Sequence, residues 1–302
     1  MSTLSRRKVI QTTLAAAAAA VAGASLPQEL PAMNNPARPK LKKALKFDMI
    51  KIDGSIEEKF NLIKSIGFEG VEINSPSNVD RDEAVAAQEK TGIDIHGVIN
   101  SVHWQKRLSD PDETIRAQGV EAMRTALSDA HTYGATTVLL VPGKVTDPQR
   151  ENFEQVWQRS QAEIRKVIPQ AKELGVRIAI EVVWNDFITK PEQLVQYVDD
   201  FNDSTVGAYF DISNMIKYGV PPAEWIRQLG HRMLKFDCKG YSNAKGWVPI
   251  GEGDENWPEV LKALAEINYN GWATAEVQGG GEEVLRDIYS RMQRVLGDAG
   301  SA

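Results

Sequence analysis

The sequence predicts an α/β protein, a single (β/α)8 barrel, and three observations carry that expectation. Apolar strand-like runs alternate with amphipathic helix-like stretches, eight of each, which is the rhythm of parallel βα units. The chain has 302 residues, a length that such barrels reach as one domain. Four successive runs in its second half also end in an acid: Glu181, Asp211, Asp237 and Glu276. In a parallel barrel the carboxyl ends of the strands open on one mouth, so those acids would face a common centre. The rival architecture, a doubly wound open sheet, would want a Gly-rich phosphate loop after the first strand, and the sequence has none there.

Taken in order, the strand candidates lie at 45–50, 69–74, 93–99, 136–141, 177–182, 206–211, 233–238 and 271–276. The helix candidates lie at 56–66, 81–91, 111–133, 154–174, 191–200, 222–229, 257–267 and 281–297. Gly67, Gly92 and Gly175 punctuate the joins before the second, third and fifth strands. Residues two apart in a strand share a face. This pairs Ala179 with Glu181, Tyr209 with Asp211, Lys235 with Asp237, and Thr274 with Glu276, each acid being the rim member.

Ahead of the barrel, residues 1–24 read as an address. Ser5-Arg6-Arg7-Lys8-Val9-Ile10 resembles a twin-arginine export signal, an alanine-rich stretch follows, and Ala22-Gly23-Ala24 suits cleavage before Ser25. The apolar stretch is short for a membrane span, so no lasting membrane association is expected. Residues 25–43, with four prolines, read as a linker, and 44–302 as the catalytic barrel. Export machinery would then be a partner, and the periplasm or the cell exterior the destination.

Composition narrows the function. The formal net charge is −6, and removing Arg6, Arg7 and Lys8 takes the remainder to −9. An acidic barrel with four histidines is a poor nucleic-acid binder. This argues against a metal-dependent phosphodiesterase for damaged DNA. The single cysteine, Cys238, has no intramolecular disulfide partner and is expected to pack outside the barrel wall. Four carboxylates gathered at one mouth would repel one another, so a cation is expected there.

Gly67-Phe68-Glu69-Gly70-Val71-Glu72-Ile73, Ala179-Ile180-Glu181-Val182-Val183-Trp184-Asn185, Tyr209-Phe210-Asp211-Ile212-Ser213-Asn214, Gly251-Glu252-Gly253-Asp254 and Gly271-Trp272-Ala273-Thr274-Ala275-Glu276 together resemble the xylose-isomerase-like TIM-barrel superfamily of sugar isomerases and epimerases. The resemblance covers about residues 44 to 297. It implies one divalent ion held by Glu, Asp, His and Glu from the last four strands, and Glu181, Asp211 and Glu276 match three of those positions. The fourth departs: where the family has a His-x-Lys-Asp segment, this chain reads Asp237-Cys238-Lys239-Gly240. With Asp237 as the fourth ligand the set is all carboxylate, which suits Mn²⁺ or Mg²⁺, with Ca²⁺ or Co²⁺ as further candidates, over Zn²⁺. Asn214 is a second departure, standing where related epimerases place a histidine.

The resemblance implies proton abstraction beside a carbonyl to give an enediolate, with Glu181 and Glu276 as acid and base. Its exits are epimerisation, isomerisation, or β-elimination from a 3-keto-glycoside. Isomerisation or epimerisation of a free sugar is the leading expectation, lyase chemistry the alternative, and a non-catalytic sugar-binding barrel the third reading. Export favours a non-phosphorylated substrate, and Gly279-Gly280-Gly281 is expected to form a turn, with no phosphate to cradle. The substrate shell is expected from Glu72, Asn74, His103, Trp104, Trp184, Asn185, Asn214 and Lys239. Glu252 divides evenly between loop order and substrate contact. His96 is expected to be a buried packing residue, and His131 and His231 structural. A homo-oligomer is compatible with the sequence.

Overall fold

The computed structural model describes residues 39–297. The proposed signal (1–24) and most of the linker lie outside the described residues. Ten strands are present among them: β1 (Leu41–Lys46), β2 (Gly70–Ser75), β3 (Asp94–Asn100), β4 (Thr137–Leu140), β5 (Arg177–Glu181), β6 (Val206–Asp211), β7 (Met233–Cys238), β8 (Tyr241–Ser242), β9 (Gly246–Trp247) and β10 (Gly271–Ala275). Eight of them close into a parallel barrel in the order β1-β2-β3-β4-β5-β6-β7-β10, with β10 pairing back onto β1. The short strands β8 and β9 form a separate antiparallel hairpin.

Helices α1 (Ile56–Ile66), α2 (Arg81–Thr91), α3 (Glu113–Tyr133), α4 (Phe153–Arg165), α5 (Ile168–Leu174), α6 (Pro191–Asp199), α7 (Pro222–Leu229), α8 (Trp257–Glu266) and α9 (Glu282–Leu296) connect the strands. Their ends follow local chemistry. Ser55 and Glu58 close a capping box on α1, and Gly92, Gly134 and Gly175 end α2, α3 and α5 with φ near +70°. No helix of the described residues is long and apolar enough to cross a membrane.

Two boundaries differ from the sequence reading. The first strand is Leu41–Lys46, not 45–50, so the linker's expected last residues belong to the barrel. The apolar run misleads because it continues into a 3-10 turn, Phe47–Met49, whose Phe47 and Met49 are themselves buried. The strand proper is disguised by Lys42, Lys43 and Lys46. The expected helix 154–174 is broken into α4 and α5, where Pro169 at the second position of α5 lacks the amide needed to continue the first helix.

The main core lies between barrel and helices. Phe60, Ile63, Val71, Ile73, Phe210, Trp225, Phe236 and Cys238 are fully buried there, so Cys238 faces outward as expected. Inside the barrel a small apolar layer of Leu139, Ala179 and Tyr209 gives way to charged groups. Gly97 makes room for one of them, since a Cβ there would collide with Glu72 Oε1.

Candidate active site

The four rim acids come together as the strand register requires. Glu181 and Asp211 end β5 and β6, Asp237 is the penultimate residue of β7, and Glu276 follows β10 directly. Asp211 and Asp237 are register partners, and the Glu276 amide donates to Cys238 O at 3.3 Å. One ligand atom from each of the four lies within 4.8 Å of the others. Two oxygens on opposite sides of one Mn²⁺, Mg²⁺ or Ca²⁺ stand about 4–5 Å apart, so the spacing suits a single cation.

Each aspartate has one oxygen tied down and one turned to the cluster. Asp211 Oδ1 accepts the amides of Ser213 and Asn214, both at 2.8 Å, while Oδ2 lies 2.7 Å from Lys239 Nζ. Asp237 Oδ1 is held by Lys46 Nζ and the Tyr209 hydroxyl, both at 2.9 Å. Its Oδ2 is buried with no hydrogen-bond partner, an arrangement that costs free energy unless a cation engages it. Lys239 also pairs with Glu276. When ionised, Glu72, Glu181, Asp211, Asp237 and Glu276 carry five negative charges, against three positive on Lys46, Lys235 and Lys239. One divalent cation balances the difference. The donor set and the charge therefore fit the ion that the sequence called for.

The electrostatics separate the two glutamates. Burial, reinforced by Glu276, raises the Glu181 carboxyl to about 8. For Glu276 burial also pushes upward, but Lys239 and Lys46 outweigh it and hold the group below its usual range. Burial pushes Asp237 well up against the opposing pull of Lys46. His103, nearby, is lowered to about 4 by burial and is neutral at pH 7; its Nδ1 faces the Val141 amide at 3.5 Å.

The remaining expected residues divide. Lys239 sits inside the cluster. Trp184 is at the rim, its Nε1 donating to Asn214 O at 2.5 Å, and Trp104 is exposed with its edge against His103. Glu72 is not a hydroxyl contact: it is buried beneath Asp237, accepting from Lys46 Nζ at 2.6 Å and Tyr209 OH at 2.9 Å. Asn74 donates to Asp48 at 2.5 Å, the result of the first strand ending early. Asn185 is buried and spends its amide on Gly143 O and the Phe187 amide, so it ties two loops together. Asn214 is buried and holds Asp211 through its backbone.

Glu252 pairs with Arg291, which assigns it to loop order. Gly280 spends its amide on Met49 O and its carbonyl on the Lys51 amide, so the middle of the Gly run is pinned beside Ile50, and Gly281 caps α9. His96 is buried, stacked on Trp272 at 4.1 Å and hydrogen-bonded to Lys235 at 2.9 Å. His131 Nδ1 donates to Leu174 O, and His231 sits in the turn before β7.

Sequence reasoning missed Lys46 and the role of Tyr209. A lysine two positions into an apolar run was the available signal, hidden by the misplaced first strand. Trp247, on the β8–β9 hairpin, carried no signal at all. A cavity of about 540 Å³ opens at the opposite end of the barrel, lined by Lys40, Lys42, Glu69, Thr136, Lys235 and Trp272 among others. The candidate site is placed at the carboxyl end because the acids converge there.

Fold and site together define a closed βα barrel with an acidic centre at its carboxyl-end mouth. Residues 60–295 match the family model described as the xylose isomerase-like TIM barrel, and the chain belongs to that family. A curated relative, the L-ribulose-5-phosphate 3-epimerase UlaE of Escherichia coli K12, is 24% identical over 226 residues, covering 71% of this chain and 79% of that protein. Among solved structures, the 3-keto-D-glucoside 4-epimerase YcjR of E. coli superposes with a TM-score of 0.73 at 17% identity, covering 85% of this chain and 99% of the other. A D-psicose 3-epimerase from Clostridium cellulolyticum H10 gives 0.67 at 23%, covering 86% and 96%. These relatives and neighbours are sugar epimerases.

Proposed function

We propose that this chain is a divalent-metal-dependent carbohydrate isomerase or epimerase, acting on a non-phosphorylated sugar through an enediolate, and that it works in the periplasm or outside the cell. The observation that carries the reading is the convergence of Glu181, Asp211, Asp237 and Glu276 within 4.8 Å, with Asp237 Oδ2 buried and unpartnered. The epimerase relatives supply the substrate class. The twin-arginine-like segment Ser5-Arg6-Arg7-Lys8 supports export, and export in turn supports a substrate without phosphate.

A cation held by the four carboxylates would polarise a substrate carbonyl and engage the neighbouring oxygen as a Lewis acid. The chain's own groups then move the protons. Glu276, kept ionised by Lys239, takes the proton from the carbon beside the carbonyl, and the C–H electron pair becomes the C=C bond of the enediolate. Glu181, which is a carboxylate once the site is loaded, takes up a proton from solvent and delivers it to the opposite face, and Glu276 returns its own proton to solvent. Lys239 stays charged beside Asp211 and Glu276 and orders both.

The test is exchange of the proton beside the carbonyl in D₂O, followed by NMR on free ketoses and 3-keto-glycosides. Deuterium incorporation that needs Mn²⁺ or Mg²⁺ and disappears in Glu276→Gln is expected. Failure of the stoichiometrically loaded protein across that panel would overturn the reading, as would exchange indifferent to a chelator.

A further inference from the structure

The β8–β9 hairpin places an aromatic platform beside the acidic centre that the catalytic reading does not use. Trp247 is 52% exposed, and the described residues have few other exposed large apolar side chains, Trp104 and Val284. A lone exposed tryptophan signifies little, but this one is part of a group. Its ring stacks on Trp184 at 4.9 Å and 19°, with Tyr241 packed edge-on to both at 5.2 and 5.0 Å.

The platform is built to stay in place. Glu255, buried, accepts from the Tyr241 amide and the Ser213 hydroxyl, both at 2.7 Å, tying the hairpin to the loop that follows Asp211. The Asp254 amide donates to Tyr241 O at 2.7 Å. The chain passes so close that a Cβ on Gly253 would sit 2.5 Å from that same carbonyl, and one on Gly240 2.5 Å from Pro249 O. A rigid exposed indole loses little entropy on binding, which is the economy of a preorganised site.

Its position relative to the carboxylates defines the ligand. Lys239 Nζ lies 2.7 Å from Asp211 Oδ2 and 5.5 Å from the Trp247 ring centre, so the platform stands about one sugar ring from the acidic centre. Lys217 Nζ, 4.8 Å from the Trp184 ring centre, adds a hydrogen-bond donor at the same rim. A pyranose offers an apolar C–H face to an indole and a girdle of hydroxyls to such donors. We infer that the Trp247 hairpin is a second sugar-ring subsite, so that the substrate is a glycoside of at least two rings, one over the carboxylates and one on the platform. The inference rests on the carbohydrate reading above and specifies its substrate class.

The test is calorimetric titration of the Mn²⁺-treated full chain with D-fructose and with the disaccharides cellobiose, maltose and sucrose. At least one disaccharide is expected to bind about tenfold more tightly than the free sugar, the factor that a favourable aromatic stack supplies. Trp247→Ala is expected to abolish that ratio and Trp247→Phe to keep most of it, with thermal melts checking that both variants fold. No preference for any disaccharide in the native chain, or a preference that survives Trp247→Ala, would overturn the subsite. Neither result bears on the metal reading, which is judged separately by ion stoichiometry and proton exchange.

Discussion

Loading the acidic centre with a divalent cation is expected to expel a proton, and the structure sets how much. The Glu181 carboxyl stands at about 8 without an ion. At pH 7 such a group is about nine-tenths protonated, and at pH 9 about one-tenth. A cation needs the carboxylate form, so binding at pH 7 should release about 0.9 proton from Glu181 alone, with more from Asp237, which burial also pushes up. Apparent affinity should then rise about tenfold per pH unit and proton below pH 8, and flatten above it. Titration in two buffers of different ionisation enthalpy, at pH 7 and pH 9, reads the proton count directly. Glu181→Gln should lower the pH 7 count by about 0.9. A count below about half a proton at pH 7, or one equal at both pH values, would refute the reasoning. The same shift fixes a sign for stability. The raised carboxyl favours the folded state most below the ordinary glutamate range near 4.5, and that contribution is lost as pH rises through 8. The ion-free protein should therefore lose stability over that interval, and the loaded protein should not.

Four further outcomes follow from named contacts. Tyr209→Phe removes the hydroxyl shared by Glu72 and Asp237 and should cost about 1–3 kcal/mol in urea unfolding. Gly97→Ala forces a methyl against Glu72 and should cost a similar 1–3 kcal/mol, relieved in part when Glu72→Ala is added. Asp237→His exchanges a carboxylate for an imidazole and should move metal preference toward Zn²⁺, measured by competition between Mn²⁺ and Zn²⁺. Glu276→Gln should leave the melting profile close to native while abolishing proton exchange by NMR, and native-like exchange would remove Glu276 from its role as base.

The barrel and its acidic centre were legible because both are periodic. Alternation along a strand and acids at successive strand ends are local signals, and closure of the sheet turns them into one site. What escaped was non-local. Nothing near Lys46 in the sequence names Glu72 or Asp237, which the closed barrel brings to 2.6 and 2.9 Å. Glu72 and Asn185 looked like substrate contacts because they are polar and lie near strand ends. Only the packed structure reveals that Glu72 Oε2 is taken by Lys46 and Tyr209, and the Asn185 amide by Gly143 and Phe187. Trp247 escaped because an indole on a two-residue strand has no periodic context.

Lys46 and Asp237 are best understood together, and one variant tests the pairing. An aspartate in the middle of a barrel is costly, since burial pushes its carboxyl up and one of its oxygens has no hydrogen-bond partner. Lys46 meets that cost from below by bridging Asp237 and Glu72, and the Tyr209 hydroxyl bonds the same two acids. The ammonium is held above its ordinary range: burial works to discharge it, and Asp237 and Glu72 together overcome burial. Lys46→Met should therefore strand two buried carboxylates and cost about 3–5 kcal/mol, the range for breaking a buried pair by removing one partner. Adding Glu72→Gln should recover part of that loss, and adding a divalent cation should recover more, because the cation can engage Asp237 from the mouth side. Urea unfolding of the single and double variants, with and without Mn²⁺, separates these contributions. If Lys46→Met proved as stable as the native chain without metal, Asp237 could not depend on Lys46 for its charge, and the all-carboxylate centre would have to be balanced from the mouth alone.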